Sequence, residues 1–206
     1  FVTSWMGGYP DRARGFRTAE SLRSVLLPRE AAILQALTPS FGSMPNPDDV
    51  VAALGRLQAQ LPEDVDVARL RLRYLLRARR LEELQGELGG LPPNLRNQPW
   101  ARLYAGTLAV HRHEVDIARD EYARCLSDHP NSADCLIWSS WFDGLEGRCG
   151  AAEQTARRLT ELVPNSPDAH EALAGPLFWV TNSADTARAV LERRWSGMQD
   201  SSATLE

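Results

Sequence analysis

The chain has 206 residues, 43% hydrophobic and 24% charged, which places it among globular chains and outside disordered or fibrous ones. Its 23 basic residues against 27 acidic ones leave a net charge of −4, which excludes a generally basic, nucleic-acid-coating protein. Every basic residue is Arg, so chemistry that needs a phosphate-loop Lys or a Schiff-base Lys is excluded.

Taken in order, the chain reads as helical throughout. Apolar residues recur at i, i+3, i+4 and i+7, and strand-like alternation is scarce. The pattern predicts helices near 10–26, 28–37, 47–60, 65–79, 81–89, 98–112, 115–128, 133–145, 150–162, 167–179 and 183–195. The breakers fall between them: Pro28, the loop Thr38–Pro47, Pro62, Gly89-Gly90-Leu91-Pro92-Pro93, Pro130, Gly147 with Gly150, Pro164 and Asn182-Ser183. Asp48, Asp64, Asn131 and Asp168 stand near helix starts as capping candidates. Short amphipathic helices on tight turns make antiparallel hairpins, and stacked hairpins make an α-solenoid. The chain opens at Phe1 rather than Met and reads as a piece of something longer, with a first hairpin cut short. Residues 199–206 are set apart as a tail, partly of cloning origin.

Internal repetition sharpens this reading. The segment DHPNSADC at 128–135 and the segment LVPNSPDA at 162–169 share Pro-Asn-Ser and an Asp at an offset of 34, which also pairs Ala118 with Ala152. Residues 99–198 resemble three tetratricopeptide repeats. A first unit from Pro99 supplies Gly106, Ala118, Tyr122 and Pro130 at that family's signature positions. The next, from Ala133, supplies Ser140, Ala152, Ala156 and Pro164, with Gly147 in its turn. The third, from Pro167, supplies Leu173 and Ala174, and one extra turn residue then makes Ala187 its small residue. The family's fourth-position aromatic is missing in all three, where Arg102, Leu136 and His170 stand. Residues 1–95 read as degenerate hairpin repeats without a clean period, 96–198 as three repeats, and 199–206 as the tail. The resemblance implies an all-α solenoid of stacked antiparallel helical hairpins.

The resemblance also implies a concave wall built by first helices, the face on which such proteins bind partners. Carried over position by position, that wall takes Trp100, Leu103, Thr107, Val110 and His111 from the first unit. The second contributes Asp134, Ile137, Trp141, Gly144 and Leu145, and the third Asp168, Glu171, Gly175, Phe178 and Trp179. The groove predicted to bind a partner is therefore Trp100, Leu103, Thr107, His111, Ile137, Trp141, Leu145, Phe178 and Trp179. Two other fates for so apolar a wall stay open at this point: cover by the chain's own helices, and self-association. The Lys/Asn/Arg clamp with which some relatives hold a partner's terminal carboxylate has no counterpart here, because Leu103, Thr107, Ile137 and Trp141 occupy its positions.

A second candidate is the stripe Arg69, Arg73, Arg77 and Arg80, on one side of one helix, which could meet an acidic partner. The competing reading is a solvated face partly paired with Glu82, Glu83 and Glu87. His111, His113, His129, Cys125, Cys135 and Cys149 lack the close ligand pairs that zinc needs. Three sparse Cys do not read as a disulfide framework, so free thiols are expected, and with them the cytoplasm. No apolar run approaches a membrane span, and no phosphate-loop, dinucleotide, zinc-protease or hydrolase-elbow motif occurs.

These features point to a non-catalytic module that holds a peptide or helix, from another protein or from the same full-length chain, with no cofactor, no metal and no nucleic acid. The alternative is a regulatory or sensory segment of a larger bacterial signalling enzyme, of kinase or cyclase type, whose catalytic domain lies outside this sequence.

Overall fold

The computed structural model describes residues 9–41 and 45–192. Twelve α-helices and two short 3₁₀ helices, Arg23–Val25 and Thr38–Ser40, occur among them, and no strand. The α-helices are α1 (Tyr9–Ser21), α2 (Pro28–Leu37), α3 (Pro47–Gln60), α4 (Val65–Arg77), α5 (Leu81–Gly90), α6 (Pro93–Arg96), α7 (Pro99–His111), α8 (Val115–Asp128), α9 (Ala133–Leu145), α10 (Cys149–Leu162), α11 (Pro167–Thr181) and α12, the run 184–192. The architecture is an all-α solenoid of antiparallel hairpins. It divides into two compact units, Phe1–Tyr104 and Ala105–Glu206, with the boundary inside α7.

The repeat is more regular than the residue types show. First helices begin at Val65, Pro99, Ala133 and Pro167, each 34 residues after the last, and second helices at Pro47, Leu81, Val115 and Cys149 do the same. The period therefore runs into the N-terminal half, which the sequence alone read as degenerate repeats without a clean one. The turn between paired helices explains the regularity. Arg79, His113 and Gly147 all take positive φ, at 56°, 61° and 74°, and they too are 34 apart. In each case the following N–H reaches five residues back: Arg80 to the Leu75 carbonyl, Glu114 to Ala109 and Arg148 to Asp143, at 2.8–2.9 Å. This left-handed cap closes the first helix and sends the chain back along it. Only Gly147 takes that conformation without a Cβ penalty. Arg79 and His113 adopt it at a cost of about 1–2 kcal/mol, and the turn's hydrogen bonds offset it. In the last hairpin the left-handed residue is Asn182, one place late, so that turn holds the extra residue.

Helix starts follow ordinary capping chemistry, although not always at the residue nearest the expected start. Asp64 accepts from the Asp66 and Val67 backbone N–H groups, Asn46 from that of Asp48, and Ser132 from that of Cys135. Asp64 also takes Arg29 Nη2 at 2.8 Å. That hydrogen bond is the largest of the effects holding its carboxyl below the usual range. The second helix of the hairpin begun by α4 is shorter than its counterparts. It stops at Gly90, because Pro92 and Pro93 cannot continue it, and the single-turn α6 follows.

In unit 105–206, α10 packs against both α9 and α11, and α9 also meets α11. Small residues make these approaches short. A Cβ on Gly106 would come within 2.9 Å of the Tyr122 ring. Tyr122 is buried, rests 5.1 Å from Phe142 centroid to centroid, and shares a 3.1 Å hydrogen bond with Thr107. Burial pushes its phenol up to about 12 against the opposing effect of that hydrogen bond. One repeat later Ser140 Oγ donates to the Ala152 carbonyl at 2.9 Å, which satisfies a buried hydroxyl at the matching approach. Ala118 and Ala152 are both fully buried. Ala156, Leu173, Ala174, Leu177 and Val190 form the core of the last hairpin, with Ala187 against it.

The expectation of free thiols is overturned. Cys125 and Cys135 are disulfide-bonded and fully buried, joining the end of α8 to the start of α9 across the turn between repeats; Cys149 is the one free cysteine. The pair escaped sequence reading because its ten-residue spacing carries no signature, and only the helical turn brings the two together.

Two predictions follow from this packing. Gly106→Ala should destabilise the chain by about 1–3 kcal/mol in chemical denaturation. Gly144→Ala, whose Cβ meets nothing within 4 Å, should be neutral or mildly stabilising. Equal effects would contradict the close approach. Alkylation of the denatured, unreduced chain should label Cys149 alone. Replacing Cys125 and Cys135 with Ser should cost about 2–4 kcal/mol, the range for a bond closing a loop of this order. Three labelled cysteines before reduction would refute the bond.

Candidate functional site

The predicted wall does not survive as one surface. Trp100, Leu103 and Thr107 are buried, so they present nothing to a partner; their position in the repeat identified the helix, not what covers it. Thr107 instead holds Tyr122. His111 is exposed at the end of α7.

The remaining residues behave differently. On α9, Ile137 is half-buried against Leu136, Leu159 and Ala169, while Trp141 and Leu145 are 42% and 59% exposed. On α11, Phe178 and Trp179 are 36% and 70% exposed. Trp138 meets Trp141 edge-on at 5.2 Å, and Phe178 meets Trp179 the same way at 5.2 Å. Among the described residues, every exposed Trp or Phe lies on α9 or α11, two helices in contact within one unit. Of the other exposed aliphatics, Leu22, Val25 and Leu27 lie together between α1 and α2, while Val65, Val115, Ile117 and Leu162 are spread over other helices. Sequence reasoning overlooked Val180, which extends the exposed end of α11.

The Arg stripe is not an open cationic row on one helix: α4 ends at Arg77, and Arg80 lies beyond the turn, at the start of α5. Arg80 pairs with Glu83 and lies 3.7 Å from Asp48, and the Arg77 guanidinium sits 5.4 Å from the Tyr74 ring centroid. Arg69 and Arg73 are half-buried and engaged. Glu87 is taken by Arg71, beside the stripe, at 2.8 Å. Among the described residues no group of three His, Cys, Asp or Glu is placed to hold a metal ion, and Cys125 and Cys135 are spent on each other. No helix there is long and apolar enough to cross a membrane.

No protein-family model matches the sequence, and no curated protein sequence matches it. Solved structures do match the fold. The crystal structure of MamA superposes with a TM-score of 0.56 at 12% identity, over 83% of this chain and 96% of that one. A MamA 41-end chain from Desulfovibrio magneticus RS-1 gives 0.56 at 12% identity, over 92% and 97%. A tetratricopeptide repeat protein from Parabacteroides merdae ATCC 43184 gives 0.60 at 12% identity, over 90% and 72%. The fold is that of the tetratricopeptide repeats. At these identities the likeness concerns the fold alone. Within it, α9 and α11 are successive first helices, and their exposed aromatics occupy the positions the repeat pattern assigns to the concave wall.

Proposed function

We propose that the chain is a docking module whose working surface is the wall of α9 and α11, and that it holds a peptide or helix of a partner there. One observation carries the reading: Trp141, Leu145, Phe178 and Trp179 are large, apolar and exposed on adjoining helices of a single unit. Apolar surface of that kind favours a partner, because covering it releases water. Trp is also the side chain most enriched among residues that dominate binding energy. The role involves no bond chemistry. The buried Cys125–Cys135 bond supports an oxidising compartment for this work, in place of the cytoplasm that reduced cysteines suggested.

The test pairs stability with binding. Trp141→Ala and Trp179→Ala should each change unfolding free energy by less than about 1 kcal/mol, whereas Trp100→Ala should cost about 3–5 kcal/mol. A peptide selected on the folded chain from a random displayed library should bind either exposed-Trp variant at least tenfold more weakly, the loss of about 1.4 kcal/mol or more typical of a hot spot. Unchanged affinity in both variants would move the working surface elsewhere.

A further inference from the structure

The turns that join one hairpin to the next are alike in backbone and unlike in packing. After α3, the Leu61 N–H donates to the Leu57 carbonyl and the Asp64 N–H to that of Leu61. After α8, His129 and Ser132 do the same to Cys125 and His129, and after α10, Val163 and Ser166 to Leu159 and Val163, all at 2.9–3.1 Å. The side chains that close these junctions also recur at the 34-residue spacing. Leu57, Leu61 and Val67 stand between α3 and α4, and Leu159, Val163 and Ala169 between α10 and α11. Leu91, Leu95 and Ala101 hold the same places between α5 and α7. All nine are buried or half-buried, and Leu159, Val163 and Ala169 pack in one cluster with Leu136.

Between α8 and α9 those three places hold Cys125, His129 and Cys135. His129 puts a polar ring where the other junctions have Leu or Val. Two cysteines carry fewer side-chain atoms than Leu with Ala or Val, so less apolar surface is removed from water. In keeping with this, α8 meets α9 more sparsely than α3 meets α4 or α10 meets α11. The Cys125–Cys135 bond, its Cα atoms 5.6 Å apart, therefore sits at a junction poorer in apolar side chains than the other three. In stacked repeats each interface contributes its own share of stability. Here a covalent bond takes the part that apolar burial plays elsewhere.

We propose that the α8–α9 junction is an oxidation-locked hinge. With both cysteines reduced, the start of α9 parts from the end of α8 about the turn 129–132; with the bond made, the junction stays closed. Locking takes two exchange steps with an external disulfide of the oxidised-glutathione class. One cysteine thiolate attacks it, forming a mixed disulfide and expelling a thiolate; the other cysteine thiolate attacks the mixed disulfide, forming Cys125–Cys135 and expelling the second. The two cysteines lose two electrons and two protons, and the external disulfide leaves as two thiols. Both sulfurs are then fully buried, which shields the bond from reductants while the junction is closed. α9, α10 and α11 pack on one another on one side of the hinge, so the lock fixes where their wall stands against α8 and not how the wall is built. The inference stands apart from the docking reading.

Hydrogen exchange read by mass spectrometry tests it on the intact chain, oxidised and after a cycle of unfolding and refolding in dithiothreitol. In the reduced chain, amides of 125–138 should exchange at least tenfold faster, while those of 57–70 and 159–172 keep their rates. A variant that copies the last junction, Cys125→Leu with His129→Val and Cys135→Ala, should exchange slowly at 125–138 with or without reductant. Equal exchange at 125–138 in the oxidised and reduced chains would overturn the hinge. Faster exchange along the whole reduced chain would also overturn it, and would make the bond a general staple of the fold. A copied junction no tighter than the reduced one would overturn the claim that the bond replaces apolar packing.

Discussion

The left-handed turn that closes α4, α7 and α9 is the constraint on which their hairpins depend. Arg79, His113 and Gly147 make the same cap at a constant 34-residue spacing, each followed by a hydrogen bond that reaches five residues back. Once that turn is set, the second helix must return along the first, and the residues facing each other across the hairpin are determined. The close approach of Gly106 to Tyr122 and the buried bond from Ser140 to Ala152 stand at corresponding places in consecutive hairpins. The turn carries a conformational cost at Arg79 and His113 that a glycine would avoid. The hairpin tolerates it because the alternative leaves buried carbonyls at the end of the first helix without partners.

That cost also explains which parts of the fold were legible. A glycine at a turn announces itself, and Gly147 did. Arg and His do not, so the hairpin of α4 and α5 showed no period in its residue types although its helices start in register. Helix positions were readable because amphipathic spacing and Pro breakers act locally. Capping residues were harder: Asn46, Ser132 and Ser166, not Asp48, Asn131 and Asp168, stand at the caps, since Asn, Ser and Asp all suit a helix start and backbone geometry decides among them. The Cys125–Cys135 bond was invisible for a different reason. Its two ends meet only after α8 and α9 are folded.

The wall shows the same division between local and non-local information. Repeat position located the first helices, and four of the residues it assigned to their wall, Trp141, Leu145, Phe178 and Trp179, are exposed. It could not say that Trp100 and Leu103 are buried, because burial depends on neighbours far along the chain.

The account turns on whether the α9 and α11 wall is open in the folded chain. Hydroxyl-radical footprinting read by mass spectrometry measures this directly, residue by residue, on dilute monomer. Trp179 and Trp141, 70% and 42% exposed, should oxidise rapidly, while Trp100, 7% exposed, stays protected until the chain unfolds. Protection of Trp141 and Trp179 equal to that of Trp100 would mean that the chain covers its own wall, and would contradict the proposed docking surface.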